Sequence, residues 1–322
     1  MTVALSILDL APVPIGGSPA EALASALELA EEVDRLGYLR LWYAEHHDMP
    51  AIASSSPEIL IALAAARTQT IRLGSGGVML PTHSSLKVAE SFRTLEALFP
   101  GRIDLGLGRA PGTNSITSRL LRRSDHITGD EFPQQLHELQ AFLDDRRPSI
   151  QAVPVVPTAP AIWLLGSSDF SARLAAQLGL PFGFAHHFSP ERAVDVLRMY
   201  RQLFRPSRLL ARPYSLVCTN VICADDSARA AELSRANGLS VLRFRQTGRF
   251  EGLYSVAAAR DTGLTAQEER FIEHFVGTAD EVSPRLRAFA VECQVDEVMV
   301  STMLAETSAR LRSYELLKTA MS

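Results

Sequence analysis

Three segments of this 322-residue chain carry histidines where they could do chemistry. They are "AEHHD", with Glu45, His46 and His47, "PTHSS", with His83, and "AHHF", with His186 and His187. Imidazole is the commonest metal ligand and also gains or loses a proton near neutral pH, so metal binding and acid–base catalysis both need weighing. Spacing argues against a metal. Adjacent residues at a strand end point in opposite directions, and no H-x-H, H-E-x-x-H or convergent carboxylate set accompanies them. No metal is expected. The plain alternative is that one imidazole of each pair bonds a backbone group while the other faces solvent.

Three further segments are poor in side chains and rich in donors. "GLGRAPG", Gly106 to Gly112, follows a strand-like run but departs from the G-x-G-x-x-G spacing of a dinucleotide loop. It reads either as backbone passing close to a flat ligand, with Arg109 available to a phosphate, or as a tight turn with a surface arginine. "GSSDFS" places Ser167, Ser168 and Ser171 at a helix start, where free N–H groups favour an anion and where Ser168 could equally be a plain N-cap. The two readings separate on convergence, because an arginine after the fourth strand of a parallel barrel would lie beside that helix start. "LGSGGVML" sets Gly76 and Gly77 inside a strand, marking a close approach of another group or a packing kink.

The elements that must position these residues alternate. Strand-like runs at Val3 to Leu10, "LRLWYA", "IRLGSGGVML", "RIDLGLG", "AIWLLG", "PFGFAH", "YSLVCTNVICA" and "DEVMVST" are separated by helical patterns. The first helix is signalled by Ser18 with Glu21 three residues on, Pro19 at its first position and Gly37 beyond its end. From Asp226 a helix is expected to about Asn237, followed by a mixed stretch of about residues 240–275 that reads as an insertion. Eight strand and helix pairs predict a closed (β/α)8 TIM-type barrel over residues 1–322, a single domain whose post-strand loops gather the unusual residues on one face.

Composition narrows the partners. With 47% apolar and 21% charged residues and a net charge of -4, the chain has core-forming material and no polyanion-binding surface, so nucleic acid is not expected. The basic cluster beginning at Arg119 reads as a solvated helix face or a weak anion site. The odd separation of Cys218 and Cys223 puts them on opposite strand faces, and with Cys293 they read as buried thiols. No signal-like segment and no apolar run near the ~20 residues of a membrane span is evident, so a cytoplasmic protein is expected.

Taken in order, "YAEHHD", "LGSGGVMLPTHSSLKVAESFRTLEALFPGRIDLGLGRAPGT", "WLLGSSDFSARLAAQLGLPFGFAHHF" and "VDEVMVSTMLAETSARLRSYELL" give a chain that resembles the bacterial luciferase-like, flavin-dependent monooxygenases. The resemblance implies a barrel that binds reduced FMN at its C-terminal face, usually as a homodimer. A separate NAD(P)H-dependent reductase would supply the reduced flavin, which then reacts with O2 to oxygenate a small organic substrate. By position, His46 is implied as the catalytic histidine, Gly76 and Gly77 as support for the flavin ring, Arg109, Ser167, Ser168 and Ser171 as phosphate contacts, and Glu45, His47, His83, His186 and His187 as pocket residues. Glu45 is expected to orient the histidine pair. Gly108 stands where some luciferases have a reactive cysteine, and the insertion has no recognisable aldehyde-binding pattern, so a non-luminous member with the insertion as a lid is expected. The alternatives are a deazaflavin-dependent oxidoreductase on the same barrel, a metal-dependent barrel hydrolase and a non-catalytic flavin-binding protein.

Overall fold

The structure is a computed structural model that describes residues 3–110, 115–122, 131–146, 149–262 and 275–322. Its first half runs β1 (Ala4–Asp9), α1 (Pro19–Arg35), β2 (Arg40–Tyr43), α2 (Pro57–Arg67), β3 (Arg72–Met79), α3 (Ser85–Leu98), β4 (Ile103–Gly108), α4 (Ser115–Arg122) and α5 (Phe132–Leu143). The second half runs β5 (Ala161–Gly166), α6 (Asp169–Leu178), β6 (Phe182–Ala185), α7 (Ala193–Leu203), β7 (Ser215–Cys223), α8 (Ser227–Thr247), α9 (Val256–Arg260), β8 (Phe275–Gly277), α10 (Ala279–Cys293), β9 (Glu297–Ser301) and α11 (Thr307–Met321).

Local signals start these helices as expected. Ser18 and Glu21 form a reciprocal capping box on α1, and Thr278 and Glu281 do the same on α10, each satisfying N–H groups that a helix start leaves open. Asp34, at the end of α1, accepts N–H bonds from Gln69, Thr70 and Ile71, which fixes where β3 begins.

Strands β1 to β7 and β9 are all parallel and close a ring, because β6 pairs with β7, β7 with β9 and β9 with β1. This is the expected (β/α)8 barrel. The short β8 pairs only with the upper end of β7, outside the ring. Strand alternation sorts the side chains. Leu8, Trp42, Ala44, Trp163, Leu216, Cys218 and Met299 fill the interior, while Ile7, Leu41, Tyr43, Val217, Val221 and Cys223 join the larger core under the helices. Cys218 and Cys223 thus take opposite faces, and all three cysteines are buried free thiols. Burial pushes the Cys223 thiol up to about 12.

The bottom of the barrel, at the strand starts, is sealed by charge. Arg40 reaches Asp104 at 2.6 Å and Glu297 at 2.8 Å, and its guanidinium lies 4.8 Å from the Trp163 ring centre. Trp42 Nε1 donates to Asp104, Tyr214 donates to Glu297, and Ser6 donates to Glu297. Buried charges persist only when paired and hydrogen-bonded. The network blocks the lower end, so access is from the strand C-termini.

Two expectations are corrected. The helix from Asp226 does not stop near Asn237 but continues to Thr247, because Asn237 and Gly238 are buried in mid-helix and packing overrides the local stop signal. The expected insertion therefore starts later than residue 240. Its first arm is not a free loop: Leu253 donates its N–H to Val13 O, Ile15 donates to Leu253 O, and Ala51 donates to Phe250 O. Residues 250–253 thus clasp the loops after β1 and β2. The insertion then carries α9, and its residues 263–274 lie outside the described residues, as do residues 111–114 and residues 123–126 of the basic cluster. Among the described residues no helix is long and apolar enough to cross a membrane.

Candidate functional site

The chemistry-bearing loops meet at the strand C-termini, and Glu45 is the hub of one side. Its Oε1 accepts from His47 Nε2 at 2.8 Å and from His83 Nε2 at 2.7 Å, while Oε2 accepts the Met79 N–H at 3.0 Å. The carboxylate is fully buried, at 1% side-chain exposure, and His83 is a third exposed. Burial alone would raise the carboxyl's pKa. The bonds from His47 and His83, the His83 charge and the Met79 N–H outweigh it and hold Glu45 at about 2. For His83 burial opposes the charge, but the Glu45 bond and charge, with Glu58 beyond, raise its pKa above the usual histidine range.

Glu45 therefore orients His47 and His83, and His46 lies between the bonded residues 45 and 47 in sequence. His46 is half-buried, its backbone N–H held by Ser54 O at 3.1 Å. The partnership with His83 had no signal in the sequence beyond two titratable residues at the ends of neighbouring strands.

The opposite side carries Arg109 and the start of α6. The Arg109 guanidinium carbon sits 4.2 Å from the Phe170 ring centre, so the loop after β4 touches the first turn of α6. Ser168 occupies the N-cap position, yet its side chain makes no cap hydrogen bond. Plain capping therefore does not account for it. Ser171 is buried against Gly166, where an added Cβ would lie 2.9 Å from its hydroxyl. Asp169, in the same turn, is engaged by Arg192 at 3.4 Å and Arg173 at 3.6 Å, which offsets its negative charge. Phe170 was not singled out by sequence; its only signal is an aromatic side chain just after the serines.

Between these corners lies the double glycine. The Gly76–Gly77 peptide is cis, and the β3–β4 register shifts between Ser75 and Val78. A Cβ on Gly76 would meet Leu8 at 2.6 Å, and one on Gly77 would meet the Gly106 carbonyl oxygen at 2.8 Å. Bare backbone is required here on packing grounds, and it leaves a flat peptide surface on the barrel.

Of the second histidine pair, His186 is placed differently from the expectation. His186 is buried, hydrogen-bonded through Nδ1 to the Thr219 hydroxyl at 2.8 Å and packed 4.7 Å from the Phe289 ring of α10. Because Cys218 faces the interior, Thr219 faces the helices, and His186 lies in the helix layer rather than at the mouth. His187 Nδ1 contacts Cys218 O at 3.2 Å. Among the described residues no group of three or more His, Cys, Asp or Glu side chains has an arrangement that could hold a metal ion.

The architecture is that of a closed parallel α/β barrel, with a buried carboxylate–imidazole hub, a bare peptide and an arginine at a helix start gathered at its strand C-termini. A family model described as luciferase-like monooxygenase matches residues 3–297, and the chain belongs to that family. It is 44% identical over 326 residues to a luciferase-like monooxygenase of Escherichia coli strain K12, covering 98% of this chain and 96% of the relative. Among solved structures, apo-MsnO8 superposes with a TM-score of 0.93 at 39% identity, covering 99% and 98% of the two chains. The oxygenating constituent of a 3,6-diketocamphane monooxygenase from Pseudomonas putida, in complex with FMN, shares the fold at a TM-score of 0.72 and 19% identity, covering 99% and 97%.

Proposed function

We propose that this chain is the oxygenase component of a two-component system, using reduced FMN and O2 to oxygenate a small organic molecule. The observation that carries the reading is the meeting of Arg109 with the start of α6, where Ser168 leaves the helix uncapped. A permanently charged guanidinium beside free helix N–H groups and serine hydroxyls is chemistry suited to a phosphate. The residues therefore fit FMN. Arg109, Ser167 and Ser168 would hold its phosphate with Ser171 behind them, and the Gly76–Gly77 backbone would support its ring. That the Pseudomonas putida neighbour is an oxygenating constituent in complex with FMN supports the same assignment.

When bound, reduced flavin supplies the electrons that activate O2. The chain's own contribution is to orient, to exclude water and to manage protons. Leu8, Leu10 and Leu165 line the interior beneath the mouth and keep water away from the reacting face. His46, next to Glu45 on its loop, holds or moves a proton at the ligand's edge. The reduced flavin comes from a separate NAD(P)H-dependent reductase in the cytoplasm. The active form is a homodimer, for which α2 offers Ile59 and Leu63, exposed and one turn apart.

Anaerobic titration with reduced FMN, followed by mixing with air-saturated buffer, tests the reading. Bound flavin is expected to re-oxidise in a phase slower than free FMN, with less hydrogen peroxide released when a substrate is present. Re-oxidation indistinguishable from free FMN, or tight binding of deazaflavin in its place, overturns it.

A further inference from the structure

Two imidazoles share one buried carboxylate oxygen, and that arrangement fixes more than orientation. Both His47 and His83 approach Glu45 through Nε2, so each must carry its proton on Nε2, and on His83 Nδ1 is left as the nitrogen that accepts another. A carboxylate at 1% exposure with two neutral imidazoles is a buried net negative charge, which is costly; one added proton neutralises the cluster. We propose that Glu45, His83 and His47 act as one acid–base unit that holds a single extra proton against the buried carboxylate and presents it from His83.

Geometry selects His83. Among the described residues the charged groups near it are Glu45 from the loop after β2, Glu58 on α2, and Glu131 at the N-cap and Glu138 in the middle of α5, which line the same cavity, with His47 on the same Glu45 oxygen. His83 also lines a cavity of about 610 Å³ beside the mouth, whose other walls include Ser84, Ser85, Gln134 and Gln135. One edge of the ring is thus tied to a buried base while the other side opens to a polar space. That is the disposition of a proton carrier. Its use in catalysis rests on the oxygenase reading: inserting one atom of O2 sends the other out as water, so protons must be delivered to the departing oxygen. Glu45 is then a positioning residue, and His83 the group that exchanges the proton.

The unit is read without flavin, by NMR of the 15N-histidine-labelled full chain over pH 5 to 9. His83 is expected as the Nε2–H tautomer with a titration midpoint above the usual histidine value, and Glu45→Gln is expected to lower that midpoint by about one pH unit or more. If Glu45→Gln does not fold, His83→Asn and His47→Asn serve. His47→Asn removes a competitor for the Glu45 oxygen, so the His83 midpoint should rise above its wild-type position, and His83→Asn identifies the His83 signals. An Nδ1–H tautomer at His83, a midpoint at or below 6.5, or midpoints unmoved in these variants overturns the proposal. If the NMR signature holds while reduced FMN does not bind, the oxygenase reading fails and the acid–base unit stands. If both hold, the pH profile of substrate oxidation in Glu45→Gln should lose its alkaline limb at the lower pH given by the NMR shift.

Discussion

Arg109 lies over the ring of Phe170, its guanidinium carbon 4.2 Å from the ring centre. One residue comes from the loop after β4 and the other from the first turn of α6, so a contact between neighbouring barrel units aims a fixed positive charge at a helix start. Arg109→Ala is expected to weaken FMN binding about 10- to 100-fold, the worth of a charge-assisted contact. Phe170→Ala, which removes only the platform, should cost several-fold, in line with about 0.5–1 kcal/mol for a cation–π contact. Riboflavin, lacking the phosphate, should bind all three proteins alike. Equal FMN affinity in wild type and Arg109→Ala by fluorescence titration would remove Arg109 from the phosphate site.

His46 lies between the bonded residues Glu45 and His47, and its backbone N–H is held by Ser54 O. His46→Ala should therefore leave the thermal melt within about 1 °C of wild type while changing the rate of flavin re-oxidation about 10- to 100-fold, the usual range for loss of a proton-transfer group. Stopped-flow traces that superimpose would show that this imidazole has no part in the oxygen step.

Close approach of backbone, rather than turn formation, explains the glycine at 106. A Cβ there would lie 2.1 Å from the Ser75 carbonyl oxygen, which β-sheet pairing prevents from moving. At Gly108 the nearest atom is the flexible Met79 Sδ at 3.2 Å. Gly106→Ala should cost about 1–3 kcal/mol or more and lower the melting temperature by several degrees, whereas Gly108→Ala should be mild. Calorimetry that ranks the two variants in the opposite order would contradict this packing account.

Much of the barrel is legible in the chain because its determinants are local. Ser18 with Glu21 starts α1, short buried runs rich in apolar residues write β2 and β7, and Gly76-Gly77 marks the irregular stretch of β3. What is not legible depends on the ring closing. Arg40, Asp104 and Glu297 read singly as charged residues near strand starts, and only closure brings them within 2.6–2.8 Å inside the barrel. The same holds for Glu45 and His83, 38 positions apart, and for Phe170 beneath Arg109. His186 and His187 show the limit of adjacency: two neighbouring imidazoles do not reveal which one the strand turns toward the helices. The Asn237-Gly238 pair misleads for a related reason, since its burial against α9 and β8 continues a helix that local propensity would end.

The two shifted groups of the hub predict a stability window. Glu45 is held at about 2 against an ordinary 4.5, so its contribution is present above pH 4.5 and is lost as the pH falls from 4.5 toward 2. His83 is shifted upward from 6.5, so its contribution is complete below pH 6.5 and is lost as the pH rises through its folded value. The advantage of wild type over Glu45→Gln should therefore be greatest between about pH 4.5 and 6.5, on the order of 2 kcal/mol, and should narrow on both sides. Urea unfolding at pH 3, 5.5 and 8.5 checks it. A constant difference across the three would mean that the carboxylate contributes packing alone.

The arm after α8 bridges two loops of the mouth, which makes gating testable without removing it. Deleting residues 243–265 outright would also take the last turn of α8, whereas Ile15→Pro removes just one donor, the N–H that reaches Leu253 O at 2.9 Å. Ile15 is 46% exposed, so little core is lost, and the fold should melt within a few degrees of wild type. Hydrogen exchange should quicken at the amides of Val13, Ala51 and Leu253, which share the clasp, and not at those of the barrel strands. If this arm shields the reacting face, the same variant should release more hydrogen peroxide per flavin oxidised. Faster exchange with unchanged peroxide release would make the clasp a structural strap and leave the mouth ungated by it.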